Sequence, residues 1–438
     1  MSKNKIVKPS TLPGFMELLP EEQILMNFMR DTIRKNYEKF GFVPIDTPII
    51  EKSEILFAKG GGDTEKQIFE IKRDKNDQAL RFDLTVPLAK YVALNASHLT
   101  FPFKRYQIGK VFRGERNQKG RFREFYQCDI DIIGNDVLDI ANDAQIPSII
   151  YSTFKDLGFD KFTIRINNRK LLNGFFEYLE IEDKAMVLRT VDKIEKIGAD
   201  KVKEELMNEG ILESKCDEIL NFINIKGSNE EILKGLTNLN IENENFNIGL
   251  NELDEVCKYI DAFGVPASNY QIDLTIARGL DYYTGTVYET ILDEYKSIGS
   301  VCSGGRYDNL AGYYTKQKLP GVGISIGLTR LFYQLREAKI LKDPTTKTLT
   351  KVLVIPMDED KKYSIEVASE LRKAGIISQV YFDSGKLKKK LNYANKLGIK
   401  YVIIVGEEEK ETGILTLKDM EYSNEFKLCV GDIIEKVK

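Results

Sequence analysis

The sequence predicts an α+β fold: a large domain with an antiparallel sheet and a helical insertion, followed by a small α/β domain. The 438 residues correspond to roughly three units at about 150 residues each. Strand-like hairpins precede residue 134, whereas residues 183–259 are rich in Glu, Lys and Asn and lack β-branched alternation. After residue 350, buried strands alternate with amphipathic helices. The predicted units are a large domain at 1–340, an insertion at 183–259 within it, a linker at 341–350, and a last domain at 351–438.

The first elements follow from apolar spacing and from the positions of proline and glycine. A helix over Glu21–Phe40 has apolar residues three and four apart and stops at Gly41. The next segment is extended, but Pro44 and Pro48 restrict it to the edge of a sheet. The later elements of this part are a hairpin of Gln67–Ile71 and Ala79–Asp83, a helix over Thr85–Asn95 capped by Thr85, strands at Arg105–Arg113 and Arg123–Ile133, and a helix over Asp136–Leu157.

Strand patterns return after the insertion. They cover Gln271–Ile276, Thr286–Ile291 and the stretch ending at Cys302, and a helix over Gly327–Lys339 follows. In the last domain we predict strands at Val352–Pro356, Ile377–Phe382 and Tyr401–Val405, and helices at Lys361–Ala374 and Lys386–Leu397.

Composition excludes several classes of protein. Hydrophobic residues make up 42% and charged residues 30% of the chain, as in a soluble globular protein. No apolar run approaches the ~18 residues of a membrane span. The first ten residues lack a secretory apolar core, so we expect a cytoplasmic protein with no membrane partner. Five scattered cysteines argue against a disulfide framework and a cysteine-based zinc site. With His98 alone a multi-histidine metal site is impossible, and we expect this residue in an exposed loop.

One hairpin concentrates positive charge. The chain has a formal net charge of −3, yet residues 104–123 contain eight Lys or Arg and only one acid, Glu115. Such a segment indicates a polyanionic ligand such as a nucleotide, phosphate or RNA, although a solvated basic face is the alternative. Arg113 lies inside an apolar strand run, which favours a site over a surface ion pair worth about 0–1 kcal/mol. Asp131 also sits in an apolar run, where a buried carboxylate is costly without a partner.

Three segments carry a family resemblance. They are RFDLTVPLAKYVA from Arg81, the hairpin FKRYQIGKVFRGERNQKGRFREFYQCDIDIIG from Phe103, and IARGLDYYTGTVYE from Ile276 with the following SGGRYDNLAG and GVGISIGLTRL. Together these resemble the histidyl-tRNA synthetases, a branch of the class II aminoacyl-tRNA synthetases. The likeness covers nearly the whole chain, and RGLDYYTGTVYE and SGGRYD are specific to the histidine branch. The last domain looks like the anticodon-binding domain of the family.

The resemblance implies an activity and its partners. It implies a class II catalytic domain that activates L-histidine with ATP and Mg²⁺ to histidyl-adenylate and pyrophosphate. Histidine then passes to the 3′ end of tRNA(His). The region around Pro44 resembles the first class II motif, which implies a homodimer.

The resemblance also implies residues for ATP. Arg113 would bind the α-phosphate, and Arg278 would reach both this phosphate and the substrate carboxylate, so these two would be catalytic. An ion pair between Arg278 and Asp281 is the alternative. Arg121 and Arg123 would lie near the outer phosphates, and Phe125 and Arg330 on the two faces of adenine. The full set expected around ATP is Arg113, Glu115, Arg121, Arg123, Phe125 and Arg330.

For histidine, the resemblance assigns three kinds of contact. Asp83, Thr85 and Gln127 would hold the α-amino group, Asp131 and Tyr283 the imidazole, and Arg278 the carboxylate, with Tyr282, Gly304, Gly305 and Tyr307 shaping the pocket. An imidazole needs a partner on each nitrogen, and such a pocket rejects analogues by roughly 10⁴-fold or more. Many bacterial members carry Glu at the position of Asp83 and an acid at the position of Thr329, so no magnesium ligand is assigned.

The RNA contacts and the rival functions complete the predictions. Gln118 at the hairpin tip and the lysines Lys388, Lys389 and Lys390 are expected to contact tRNA, although a solvated lysine face is the alternative. The nearest rival is the synthetase-like regulatory subunit of ATP phosphoribosyltransferase, a non-catalytic histidine-binding protein. A class II synthetase for another amino acid is the third possibility.

Overall fold

The computed structural model describes residues 7–58, 65–73, 76–115, 120–276, 283–308, 310–341 and 347–438. The chain divides into two compact units. The first comprises the residues up to Met16 and Met29–Ile340, and the second comprises Glu17–Phe28 and Leu341–Lys438. None of the helices within these described ranges has the length and hydropathy needed to cross a bilayer.

The strands of the first unit form one large and one small sheet. In chain order the described strands are β1 (Val43–Pro44), β2 (Ile50–Lys52), β3 (Glu70–Arg73), β4 (Asn76–Leu80), β5 (Phe103–Phe112), β6 (Glu124–Ile133), β7 (Phe162–Asn168), β8 (Tyr270–Ile272), β9 (Thr286–Leu292), β10 (Cys302–Tyr307) and β11 (Gly321–Ile326). The large sheet has the order β1-β5-β6-β11-β10-β9-β7-β8, and the small sheet has the order β2-β4-β3. The predicted antiparallel α+β fold is confirmed, because among the described strands of this first unit only β1–β5 and β7–β8 pair in parallel.

Helices pack around this sheet and fill the region between β7 and β8. The helices that begin in the first 340 residues are α1 (Pro20–Lys39), α2 (Ser53–Leu56), α3 (Thr85–Asn95), α4 (Ala141–Asp156), α5 (Arg169–Tyr178), α6 (Lys184–Val191), α7 (Ile194–Ile197), α8 (Ala199–Asn208), α9 (Glu213–Ile223), α10 (Asn229–Asn238), α11 (Glu244–Ala262) and α12 (Leu328–Glu337). The helix predicted over Glu21–Phe40 is confirmed as α1. It buries Met29, Ile33 and Tyr37 at the spacing of one helical face, and Tyr37 Oη donates to the Cys128 carbonyl oxygen of β6 over 2.9 Å.

The pairing of β5 with β6 positions the functional residues. The two strands align over ten pairs, from Phe103 opposite Ile133 to Phe112 opposite Glu124. β6 also pairs with β11 through six residues. Side chains alternate between the faces of a strand, so every second residue of β6 faces the same side. The prediction that Pro44 lies at a sheet edge is confirmed, since β1 is the edge strand next to β5.

Three local predictions were wrong. Thr85 is the first residue of α3 rather than its cap, and the Asp83 carboxylate caps the helix instead by accepting from Val86 N over 3.0 Å. The helix predicted from Asp136 begins at Ala141, because Asp136 has φ +64° and a left-handed residue does not continue a right-handed helix. Cys302 begins strand β10 rather than ending one.

The second unit contains a mixed sheet with helices. Its strands are β12 (Val352–Pro356), β13 (Ser378–Val380), β14 (Tyr401–Val405), β15 (Leu415–Asp419) and β16 (Glu425–Leu428), and its further helices are α13 (Lys362–Lys373), α14 (Leu387–Leu397), α15 (Glu407–Thr412) and α16 (Val430–Val437). The order is β13-β12-β14-β15-β16. The predicted alternation of strand and helix is confirmed through β14. The antiparallel β15 and β16 were not predicted, because these short strands carry polar residues on one face.

Candidate active site

A cavity of about 460 Å³ opens on one face of the large sheet. Its floor includes Phe125, Gln127, Asp129 and Asp131, which are alternate residues of β6. With a rise of about 3.4 Å per residue, Phe125 and Asp131 lie about 20 Å apart along the strand. The cavity is therefore elongated enough to hold two ligands side by side along β6.

One end of the cavity is basic and aromatic. Arg113, Glu115, Arg121, Phe125 and Arg330 all line it, as the sequence predicted for nucleotide contacts. Arg113 Nε donates to the Phe82 carbonyl oxygen over 2.9 Å, and its guanidinium lies 5.3 Å from the centroid of the Phe125 ring. This anchoring aims a permanent cation into the cavity, and an arginine fork binds phosphate oxygens at two points.

The other arginines predicted for this end differ in their exposure and in their hydrogen-bond partners. Arg121 is 53% exposed and pairs with Glu115 at 3.3 Å. Arg330 Nη2 donates to the Ile298 carbonyl oxygen over 3.4 Å. Arg123, also predicted to lie near the phosphates, is not part of the cavity lining, and its Nε donates to the Glu115 carbonyl oxygen over 3.1 Å.

Thr329 stands where many relatives were expected to carry an acid. Its Oγ1 accepts a hydrogen bond from Tyr126 N over 2.8 Å, and the residue is buried. Thr329 thus ties the first turn of α12 to β6, and it contributes no carboxylate to the basic end.

The other end is acidic and more enclosed. Asp131 is 4% exposed and forms an ion pair with the fully buried Arg105 through Oδ2. Its Oδ1 accepts from Tyr307 Oη over 2.9 Å. Burial raises the pKa of Asp131 from 3.8 to about 6, although Arg105 and the Tyr307 hydrogen bond act in the opposite direction.

The other residues predicted around histidine converge on this end. Asp83, Thr85, Gln127, Tyr283, Gly304 and Tyr307 line the same cavity. A Cβ at Gly304 would overlap the Gly323 carbonyl oxygen of β11, so glycine permits the close pairing of β10 with β11 there. A Cβ at Gly305 would lie 2.9 Å from the Tyr283 ring, so Gly305 makes room for this tyrosine.

Two polar residues of the acidic end were not singled out from the sequence. Asp129 and Ser325 both line the cavity, and they face each other across β6 and β11. Burial raises the pKa of Asp129 from 3.8 to about 7. The period-two alternation of β6 could have identified Asp129, since it lies between two residues already assigned to the site.

The remaining predicted residues fall into two groups. Arg278, Tyr282 and Gln118 fall outside the described residues. On α14, Lys388 and Lys389 are exposed. Lys390 is 6% exposed, and its Nζ donates to the Pro356 carbonyl oxygen over 2.6 Å, which turns it away from an RNA ligand.

Comparison with known families identifies this arrangement. The family model for histidyl-tRNA synthetase matches residues 14–331, and the model for the anticodon-binding domain matches residues 351–438. The chain belongs to the histidyl-tRNA synthetase family.

Individual relatives agree with this family over their full lengths. A histidine–tRNA ligase of Clostridium tetani is 63% identical over 436 residues, which are 100% of this chain and 99% of that protein. A histidine–tRNA ligase of Finegoldia magna is 52% identical over 99% of this chain and 100% of its own. The crystal structure of histidyl-tRNA synthetase from Nostoc sp. PCC 7120 superposes with a TM-score of 0.92 at 42% identity, covering 99% of both chains. These full-length matches favour the synthetase over the regulatory-subunit alternative.

Proposed function

We propose that this chain is a histidine–tRNA ligase that activates L-histidine with ATP and transfers it to the 3′ end of tRNA(His). The observation that supports this most strongly is the single cavity with two chemically different ends. Its basic end suits a nucleoside triphosphate, and its acidic end offers hydrogen-bond acceptors to an amino acid with an imidazole side chain.

The first step needs no protein nucleophile. A carboxylate oxygen of histidine attacks the α-phosphorus of ATP, a new P–O bond forms, and the bond to the β-phosphate oxygen breaks with release of pyrophosphate. Catalysis then consists of positioning and of fixed positive charge against oxygens that gain charge. In the second step a ribose hydroxyl of the terminal nucleotide attacks the carbonyl carbon of the adenylate, and AMP leaves.

The residue roles follow the two ends of the cavity. Arg113 binds the α-phosphate, Arg121 meets the outer phosphates, and Phe125 and Arg330 enclose the adenine. Asp131 and Tyr307 form one side of the imidazole pocket, completed by Tyr283. From the family resemblance we also assign Arg278 to the substrate carboxylate and the α-phosphate.

The donor set at the basic end fits Mg²⁺ carried with ATP. The described part of the chain holds no cluster of three or more His, Cys, Asp or Glu arranged for a metal ion. The carboxylates of Glu115 and Glu289 do line the cavity, and Mg²⁺ in nucleotide sites is commonly held by one or two carboxylates plus phosphates. Glu115 and Glu289 would therefore hold it. When bound, Mg²⁺ neutralises charge on the phosphate oxygens.

The remaining proposals concern organisation and RNA. We assign the catalytic domain to 1–340 with its insertion at 183–259, the linker to 341–350 and anticodon binding to 351–438. The exposed Lys388 and Lys389 contact tRNA, and buried Lys390 does not. A homodimer in the cytoplasm, with β1 and its surroundings at the interface, completes the proposal.

Charging of RNA tests the whole function. Purified protein is incubated with ATP, Mg²⁺, labelled histidine and tRNA(His), and label in acid-precipitable RNA is measured. We expect label that depends on ATP and is lost with a tRNA of another specificity. Absence of charging by folded protein that forms histidyl-adenylate would refute the transfer step, and absence of both reactions would refute the ligase assignment.

A further inference from the structure

The charged residues of the basic hairpin lie beyond its regularly paired strands. The pairing of β5 with β6 ends at Phe112 opposite Glu124, whereas Arg113, Glu115 and Arg121 line the basic end of the cavity. The sheet register alone therefore does not fix these three residues. Their positions, and with them the preorganised charge of this end, depend on contacts made outside the sheet.

One such contact comes from a tight turn that precedes α1 in the chain. The turn comprises residues 12–15 and is called here the N-terminal turn; within it, Phe15 N donates to the Leu12 carbonyl oxygen over 3.1 Å. Gly14 has φ +86°, a left-handed conformation that glycine adopts without steric cost. The Gly14 carbonyl oxygen accepts from Arg123 N over 2.7 Å. The N-terminal turn is thus hydrogen-bonded to the hairpin directly before β6 begins.

The Arg123 side chain packs against the same turn. A Cβ at Gly14 would lie 2.9 Å from Arg123 Cγ and 3.0 Å from Arg123 Cδ, so a side chain at position 14 would displace the arginine. Farther along the same side chain, Arg123 Nε donates to the Glu115 carbonyl oxygen over 3.1 Å. Arg123 therefore links the two sides of the hairpin while its aliphatic part rests on Gly14.

The backbone of Arg123 connects this contact to the cation at the centre of the basic end. Arg113 N donates to the Arg123 carbonyl oxygen over 2.9 Å, so Arg123 meets Gly14 through its N–H and Arg113 through its carbonyl group. A displacement of Arg123 would therefore move the backbone of Arg113. An error of about 1 Å in the position of a reacting or binding group can lower a rate by about 100-fold.

The surroundings of Arg123 are those of a support rather than of a phosphate ligand. Arg123 is not part of the cavity lining formed by the described residues, although Arg121, Phe122 and Phe125 on either side of it are. The Phe122 ring is held in turn by Tyr333 of α12, in an edge-on contact with ring centroids 5.2 Å apart. The N-terminal turn and α12 thus hold neighbouring residues of the hairpin.

We propose that Gly14 and Arg123 are positioning residues for the ATP end of the cavity. The N-terminal turn holds Arg123, and Arg123 holds the backbone of Arg113 and Glu115, so that the cationic end is formed before ATP binds. Arg123 acts through these neighbours and does not itself bind a phosphate. This inference rests on the proposed function, because it takes ATP as the ligand of the basic end, and it adds a role for residues 12–15.

Gly14→Ala tests the contact with the smallest side chain. Steady-state ATP–pyrophosphate exchange by the full-length protein should show kcat/KM for ATP lowered by about tenfold or more. The KM for histidine should be unchanged, because the histidine pocket lies at the other end of the cavity. The matched control is Gly41→Ala, since Gly41 also has a positive φ of +80° but a Cβ there would meet no heavy atom of the described residues within 4 Å. Both variants should lose similar thermal stability, whereas only Gly14→Ala should change the kinetics with ATP.

A double variant tests whether the two residues act through one contact. Arg123→Ala removes the side chain that the new methyl group would strike, so adding Gly14→Ala to it should lower kcat/KM for ATP by less than Gly14→Ala does alone, because residues in contact have non-additive effects. Fully multiplicative losses would overturn the proposal. An unaltered kcat/KM for ATP in folded Gly14→Ala protein, or an equal loss in Gly41→Ala, would also overturn it.

Nucleotide titration decides the question even if Gly14→Ala does not fold. A support of Arg113 affects the α-phosphate site, so Arg123→Ala should weaken the binding of AMP and of ATP alike in calorimetric titration. Weaker binding of ATP alone would make Arg123 a ligand of the outer phosphates and would overturn the proposal. Absence of ATP binding and of exchange in the unaltered protein would instead refute the proposed function.

Discussion

Tyr307 Oη donates a hydrogen bond to Asp131 Oδ1 over 2.9 Å, and both side chains are more than nine-tenths buried. The other oxygen of Asp131 is ion-paired with Arg105. The carboxylate is thus held on both oxygens before any ligand arrives, and Asp131 lines the cavity. Such preorganisation is what a pocket requires to distinguish one side chain from another.

Tyr307→Phe tests this relationship. Loss of a hydrogen bond to a charged group should raise the KM for histidine by about tenfold or more, while the KM for ATP stays roughly unchanged, because Tyr307 lies at the acidic end. Steady-state ATP–pyrophosphate exchange provides both values. Tyr313→Phe, which removes an exposed hydroxyl, is the control, and a Tyr307→Phe variant with an unaltered KM for histidine would contradict the assignment.

Arg113→Ala tests the cation at the basic end. We expect the turnover of adenylate formation to fall by about 100-fold or more, because a preorganised charge at the reacting centre is lost. Single-turnover formation of histidyl-adenylate measures it. Arg34→Ala is the matched control, since Arg34 is a partly exposed arginine paired with Glu38 on α1. Near-normal turnover in folded Arg113→Ala protein would refute the role.

The double variant Lys388→Glu/Lys389→Glu tests RNA binding by α14. Reversing two exposed charges should raise the KM for tRNA(His) and leave histidine-dependent exchange unchanged, since phosphate contacts depend on positive charge. The control Lys362→Glu/Lys373→Glu changes the net charge equally, on exposed positions of α13. Equal effects of the two double variants on charging would mean that only overall charge matters.

Asp129→Asn changes the dependence of stability on pH. The pKa of Asp129 is raised from 3.8 to about 7, so below about pH 4 the carboxyl is protonated in both states and no charge is buried. As pH rises toward and through 7, the folded protein must bury the charge and stability is lost. The variant should therefore lose less thermal stability than the unaltered protein between pH 5 and pH 8. If the melting temperatures of the two proteins change equally with pH over this interval, ionisation of Asp129 does not destabilise the folded state.

The sequence predicted much of the fold because periodicity and breakers are local signals. The boundaries of α3 and β12 agree with the predictions, since Pro87 and the apolar run of β12 define them without tertiary contacts. The start of α4 was predicted too early because an aspartate is a common first residue of a helix. The left-handed backbone of Asp136, which ends that interpretation, is not visible in the sequence. The short, half-exposed strands β15 and β16 gave too weak an alternation to be recognised.

The candidate site was predicted less completely, for a physical reason. Family motifs indicated Gln127 and Asp131, and alternation along β6 could have added Asp129. Ser325 could not be found from sequence, since its relation to Asp129 depends on the register between β6 and β11. Likewise, the sequence does not distinguish Lys390 from the exposed lysines beside it on α14. Only the packing of that helix shows that Lys390 points inward and donates to the Pro356 carbonyl oxygen.

The central claim is that the cavity activates histidine and no other amino acid. ATP–pyrophosphate exchange with purified protein, Mg²⁺ and each of the twenty amino acids tests it most directly. The account predicts exchange with histidine alone. Exchange with a different amino acid would contradict the imidazole pocket around Asp131, and a folded protein that binds histidine without any exchange would contradict the activation chemistry itself.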